Sequence, residues 1–275
     1  RHDPGDANTL SGSDISTIAE DADGNIWAAA RSSGLNKIDL KTGKITRFTK
    51  GIKGVDFSSL TISSLIQVDQ HRIFATAAGV GLLVFDTKTN TCLVNESEIK
   101  HPLVKEAVRL YKHANGSIWL GTRTGQLISY GGRHVFIPFD FSGKTMSSTY
   151  RVRALFETNN GDILVGTEGK GLYRFNPQNQ RFTNVFYTAQ DPLSRQNIVS
   201  SMVRDALGNL WIGTDNGVYT LKGEDFTHPR HIPSNPDPEL GISSFSVMSM
   251  FTDSNRNTWI GTWEAGLNIS FFQKS

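Results

Sequence analysis

The chain has 275 residues, 37% hydrophobic and 20% charged, which is enough apolar material for a well-buried core in one or two domains. Its 28 basic and 26 acidic residues leave a net charge of +2, so charge lends no support to nucleic-acid or membrane-surface binding. The single cysteine, Cys92, excludes an internal disulfide framework and any cysteine-based metal cluster.

No apolar run approaches the roughly 18 residues a membrane helix needs. The N-terminal "RHDPGDANTL" lacks the apolar segment of a signal peptide. With Pro4, Gly5 and three charges it also makes a poor strand. From Ile15 onward one unit is written six times. Its first strand is expected at "ISTIAE" (Ile15), "ISSLIQV" (Ile62), "AVRLYKH" (Ala107), "VRALFET" (Val152), "IVSSMVR" (Ile198) and "SVMSMFT" (Ser246). A Gly/Asn/Asp turn follows each, then a second strand such as "NIWAAA" or "NLWIGT". A third strand opens at Gly34, Gly81, Gly125, Gly171, Gly217 and Gly266. Five units add a fourth strand; the sixth ends at "NISFFQKS" with none.

Aligned on one large apolar column, the units place Trp27, Phe74, Trp119, Leu164, Trp211 and Trp259 at steps of 47, 45, 45, 47 and 48 residues. That spacing lies in the band of roughly 40–50 residues expected for propeller blades. The expected fold is all-β: a β-propeller of four-stranded antiparallel blades, six repeats, with the last blade lacking its outer strand. A single domain over 1–275 is expected, with repeats near 11–50, 58–96, 102–140, 147–187, 194–232 and 241–275. The tryptophans Trp27, Trp119, Trp211 and Trp259 read as equivalent buried wedges between blades.

"DADGN" reads as a hairpin connection rather than a calcium loop, because the further oxygen ligands and terminal glutamate are missing. Gly24, Gly116, Gly161 and Gly208 should take the positive φ that such a turn needs. "SGKT" at 142–145 copies the end of a phosphate loop, but Pro138 stands where its first glycine belongs. "HPRH" at 228–231 has metal-like spacing without a third ligand. No catalytic signature, metal site or cofactor is expected.

The loops after the second strands and those before the first strands should share one face of a four-stranded meander. Candidate ligand-binding residues there are Arg31, Arg123, Tyr150, Glu168, Asp215, Trp263 and Glu264. Arg151, Arg195, Asn197 and the segment "PSNPDPELG" from Pro233 lie beside them. Trp263 follows "GT" directly and offers a flat aromatic ring for stacking. The charged residues suit directional hydrogen bonds to hydroxyls or acidic groups.

The recurring pattern D-x-x-G-N-[IL]-W-[IL]-G-T-x-x-G-G-L-N, seen at Asp21–Asp39, Asp205–Tyr219 and Asp253–Asn268, resembles the two-component regulator propeller repeat. That repeat occurs in the sensor regions of bacterial hybrid histidine kinases, especially those of gut Bacteroidetes. The resemblance implies a periplasmic ligand-sensing domain, commonly tuned to glycan fragments, attached to the membrane only through segments outside this chain. An oligosaccharide ligand and a homodimer through the propeller are the expected partners. Two other functions compete with the sensor: a protein-interaction platform, and a propeller lyase or glycoside-processing enzyme.

Overall fold

The structure is a computed structural model that describes residues 2–49, 56–77, 79–93, 102–130, 136–140 (backbone only), 150–186 and 194–271. It divides into two compact units, Arg1–Asp140 and Phe141–Ser275, each made of three antiparallel sheets whose strands follow one another in chain order. In the first unit the sheets are β1 (Ile15–Glu20), β2 (Ile26–Ala30), β3 (Gly34–Ile38), β4 (Ile45–Phe48); β5 (Ile62–Gln67), β6 (Arg72–Ala77), β7 (Gly81–Asp86), β8 (Thr91–Leu93); and β9 (Ala107–Lys112), β10 (Ile118–Thr122), β11 (Gln126–Tyr130), β12 (Phe136–Asp140). In the second they are β13 (Val152–Glu157), β14 (Ile163–Thr167), β15 (Leu172–Asn176), β16 (Arg181–Phe186); β17 (Val199–Arg204), β18 (Leu210–Thr214), β19 (Gly217–Leu221), β20 (Arg230–Ile232); and β21 (Val247–Thr252), β22 (Thr258–Thr262), β23 (Gly266–Ser270). Helix among the described residues is confined to short 3-10 turns of three to five residues.

The strands fall where alternation and turn residues put them, and among the described residues the sixth sheet has three strands. The N-terminal segment is not a strand. It lies along β4, where Ile45 N–H donates to Asn8 Oδ1 at 2.9 Å and the Arg47 guanidinium donates to the carbonyls of Thr9 (2.7 Å) and Asp6 (2.6 Å).

Within each unit, one face of a sheet packs on the opposite face of the next. Trp27, Ala29 and Leu35 meet Ile62, Ile73, Leu83 and Phe85, while Phe74 and Leu82 meet Leu110, Ile118, Leu120 and Ile128. In the second unit Leu164 and Leu172 meet Val199, Leu210 and Ile212, and Trp211 and Val218 meet Val247 and Ile260. Each of the Leu, Ile, Val and Phe side chains taken from water contributes about 1.5–3 kcal/mol. The four tryptophans occupy one register, opposite Ala19, Tyr111, Val203 and Phe251 of the first strands. Their burial is not equal, which corrects the expectation of four buried wedges. Trp27 and Trp119 are buried, whereas Trp211 and Trp259 are half-buried. In the sixth sheet the tryptophan face stays largely open, with Leu267 exposed.

A bulge at the second residue of the first strand also recurs. The skipped residue is a serine in three sheets. Each of these hydroxyls donates to a carbonyl on the first strand of the following sheet: Ser16 to Ile62 at 2.6 Å, Ser63 to Val108 at 2.9 Å, and Ser200 to Val247. In the turns, Gly24, Gly116, Gly161 and Gly208 have φ of 81°, 85°, 79° and 84°, the left-handed region that favours glycine. Arg256 takes that place in the sixth repeat, at φ 71°.

Candidate functional site

The residue that follows each second strand is held the same way in five repeats. Its N–H donates to the carbonyl of a residue at the head of its own sheet: Arg31 to Asp14 (2.8 Å), Arg123 to Glu106 (2.8 Å), Glu168 to Arg151 (2.9 Å), Asp215 to Ile198 (3.2 Å) and Trp263 to Ser246 (2.9 Å). The frame therefore fixes these five backbones and leaves their side chains to vary.

In the first unit both side chains are engaged locally. Arg31 Nε lies 2.9 Å from Asp14 Oδ2, with both groups mostly exposed. Arg123 holds Glu106 in a two-point pair through Nε and Nη2, the latter at 3.2 Å. That hydrogen bond, aided by the opposite charge, lowers the Glu106 carboxyl and raises the Arg123 guanidinium. A ligand approaching either arginine would compete with a carboxylate already in place.

In the second unit the loops are joined in series. Glu168 bridges to Ile198 in antiparallel fashion, and Ile198 in turn accepts from Asp215. Ser246 Oγ donates to Asp215 Oδ1 at 3.0 Å, and the Ser246 carbonyl receives the N–H of Trp263. The structure thus brings Asp215 and Trp263 onto one run of backbone. Glu168 Oε1 lies 3.7 Å from Arg153 Nη1, and Lys170 Nζ sits 5.0 Å from the centre of the Tyr150 ring. Glu264 follows Trp263 in a left-handed conformation, φ 62°, and is exposed. Trp263 itself is 56% exposed.

Sequence reasoning missed three features of this end of the second unit. Arg195 stacks over Phe245, 4.5 Å from the ring centre. Tyr219 Oη donates to Gln196 Oε1 at 2.8 Å and accepts from Asn216 Nδ2 at 3.0 Å, while the ring of His231 stacks on it at 4.4 Å. That stack, and a hydrogen bond from Nε2 of His231 to the Asn216 carbonyl, account for one histidine of "HPRH". His228 lies beside Asp225 instead.

The third feature is the asparagine of the third strand. Asn268 Oδ1 accepts from Ser243 N and its Nδ2 donates to Ser243 Oγ, both at 2.9 Å, pinning the loop that carries Ser246. Asn36 grips Ser11 with the same two bonds, at 2.8 and 2.9 Å. The signal was available, since "GLN" recurs with a serine 25 positions earlier in both repeats. "SGKT" at 142–145 lies outside the described residues. Among the described residues no group of three His, Cys, Asp or Glu side chains is placed to hold a metal ion.

Against known proteins, residues 9–32 and 192–216 match the family described as two component regulator propeller. These two segments carry two-component regulator propeller repeats. The first match ends just after Arg31 and the second just after Asp215, so each spans the first two strands of its sheet.

The extracellular domain of a putative hybrid two component system from B. thetaiotaomicron is similar over 98% of this chain and 35% of that one, at 21% identity and a TM-score of 0.78. The extracellular domain of a putative one component system from the same organism is similar over 96% of this chain and 39% of that one, at 18% identity and a TM-score of 0.68. A streptogramin B lyase is similar over 97% of this chain and 86% of that one, at 11% identity and a TM-score of 0.66. No curated protein sequence matches significantly. At these identities the likeness is one of fold, an all-β propeller with blades of three or four antiparallel strands. The chain spans between a third and two fifths of the length of the two extracellular domains.

Proposed function

We propose that this chain is an extracytoplasmic ligand-sensing module of a two-component signalling protein, in the periplasm, and that its ligand is a glycan fragment read by the loops around Trp263. The repeat type and the likeness to extracellular domains of B. thetaiotaomicron systems favour a sensor. The exposed indole of Trp263 carries the choice of site. At the register where other repeats hold Arg31, Arg123, Glu168 and Asp215, each with a local side-chain partner, the sixth holds a flat aromatic ring open to solvent. Such a ring covers the apolar face of a sugar; Glu264 on the same loop and Arg195, stacked over Phe245, would meet its hydroxyls or acidic groups. No helix of the described residues is long and apolar enough to cross a membrane; in this reading anchoring and kinase activity belong to other parts of the protein.

The lyase reading is weaker, because Glu168 and Asp215 are engaged by Arg153 and Ser246 rather than paired as an acid and a base. An interaction or dimerisation platform is the second reading, favoured by the exposed Leu267 of β23 and Phe271 just after it. A thermal-shift screen against a panel of oligosaccharides tests the first reading, since a ligand bound only to the native state raises its apparent stability. Trp263→Ala should keep the fold and weaken a confirmed ligand at least tenfold. Unchanged affinity in that variant would remove this loop as the site.

A further inference from the structure

Two cations on the loops of the second unit are carried on aromatic rings. Lys170 Nζ stands 5.0 Å from the centre of the Tyr150 ring, and the guanidinium carbon of Arg195 stands 4.5 Å from that of Phe245. Backbone ties join the two pairs. The Asn197 carbonyl accepts the N–H groups of Gly169 (3.0 Å) and Gly171 (2.8 Å), the residues on either side of Lys170, and Arg195 lies just before Asn197 in the same 3-10 turn. The Phe245 carbonyl accepts from Gly217 at 2.6 Å, and the carbonyl of the next residue, Ser246, receives the N–H of Trp263. Tyr150, Phe245 and Trp263 therefore belong to one set of joined loops, which also carries Lys170 and Arg195.

The charges differ from those of the first unit. There Arg31 and Arg123 are each answered by a carboxylate, Asp14 and Glu106. Among the described residues Arg195 meets no carboxylate; it is exposed and rests on the Phe245 ring. Arg151, beside Tyr150, is a further exposed cation. Of the carboxylates on these loops, Glu168 lies 3.7 Å from Arg153, Asp215 accepts the Ser246 hydroxyl at 3.0 Å, and Glu264 follows Trp263.

A guanidinium stacked on a ring uses its flat face and keeps its N–H edges for an acceptor in the plane, which suits a carboxylate or sulfate. The ring also limits the freedom a long side chain must give up on binding. A neutral sugar offers only hydroxyls to such a donor, whereas an ionised group forms the shorter, stronger, charge-assisted bond. We propose that the glycan is acidic, with Arg195 and Lys170 taking carboxylate or sulfate groups of an oligosaccharide whose ring stacks on Trp263; this rests on Trp263 being the sugar platform.

Matched pairs of probes separate charge from sugar: oligogalacturonate with its methyl ester, and sulfated with unsulfated malto-oligosaccharide. Titration calorimetry of the folded chain should show an acidic member bound about tenfold more tightly than its neutral counterpart, with the margin narrowing as salt is raised. The pair that responds tells carboxylate from sulfate. Arg195→Ala and Lys170→Ala should each cut that margin while remaining folded, and Arg195→Lys should recover part of the loss. Trp263→Ala should weaken both members alike. Neutral members bound as tightly as acidic ones, and weakened by Trp263→Ala, would overturn the acidic ligand and leave the sugar platform standing. An acid preference that survives replacement of both Arg195 and Lys170 by alanine would overturn it too. Acid binding lost in Arg195→Ala but indifferent to Trp263→Ala would uphold the anion subsite and remove the platform. Failure of every probe to bind would overturn both.

Discussion

Asp21 Oδ2 accepts the indole N–H of Trp27 at 2.9 Å, while its Oδ1 accepts the backbone N–H groups of Asp23 (3.0 Å) and Asn25 (2.9 Å). Asp205 with Trp211 and Asp253 with Trp259 repeat the link, at 2.9 and 2.8 Å. One carboxylate thereby closes the hairpin and satisfies the polar edge of the ring that packs toward the next sheet. Lys37, with Nζ 3.6 Å from Asp21 Oδ2, balances the charge in the first repeat.

Removing that carboxylate should be costly out of proportion to its size. Asp21→Ala leaves a buried indole N–H and two turn amides without their acceptor, a loss of about 1–3 kcal/mol. Asp21→Asn keeps an acceptor for the indole and should lose less. Urea denaturation followed by tryptophan fluorescence reads both, and a midpoint unchanged in Asp21→Ala would refute the role given to this bond.

The same bonds predict acid sensitivity. At Asp21 burial pushes the carboxyl up, but hydrogen bonds from Trp27 and Asn25 and the charge of Lys37 outweigh it and the net direction is down. Asp205 is lowered against its burial by Asn209 and Trp211; Asp253 is lowered chiefly by Trp259. Groups depressed in the folded state contribute stability that is full above the unfolded carboxyl range, near pH 4, and is lost as pH falls through their folded values. The urea midpoint should therefore hold between pH 7 and 5 and drop below about pH 4. Asp21→Asn should make that drop shallower; an identical acid profile would count against the linkage.

Two glycines with one backbone conformation separate strain from space. Gly208 and Gly217 both have φ of 84°, but a Cβ on Gly208 would meet nothing within 4 Å, whereas one on Gly217 would lie 2.5 Å from the Ile232 carbonyl oxygen. Gly208→Ala should lose only the left-handed penalty, about 1–2 kcal/mol. Gly217→Ala must also push β20 away and should lose distinctly more. Equal losses in thermal unfolding would show that the β19–β20 pairing gives way freely.

Cys92 packs in the first unit's core, 3% exposed, and burial raises its thiol to about 12. The thiolate is the reactive form, so the native protein should resist a soluble thiol reagent at pH 8 and react promptly in urea. Equal rates in the two conditions would place Cys92 at the surface.

The strands and their turns were legible because each repeats a local rule, alternation in the strand and glycine at the turn. The Asp21–Trp27 link was legible only in part. Its spacing of six recurs at Asp205–Trp211 and Asp253–Trp259, yet a turn explains the aspartate without the indole. The loop charges were read as free for a ligand because their partners, Asp14 and Glu106, lie 17 residues upstream, across a folded sheet. Unequal tryptophan burial depends on what the neighbouring sheet presents, which no single repeat encodes.

The bulge serines bear on how the protein folds. Each hydroxyl on one first strand needs the next first strand in place, so sheets within a unit are coupled neighbour to neighbour as in other repeat arrays. Loss of Ser16 or Ser63 would then do more than lower total stability. It would allow a sheet to melt while its neighbour stays folded, and a single sharp unfolding transition would become two.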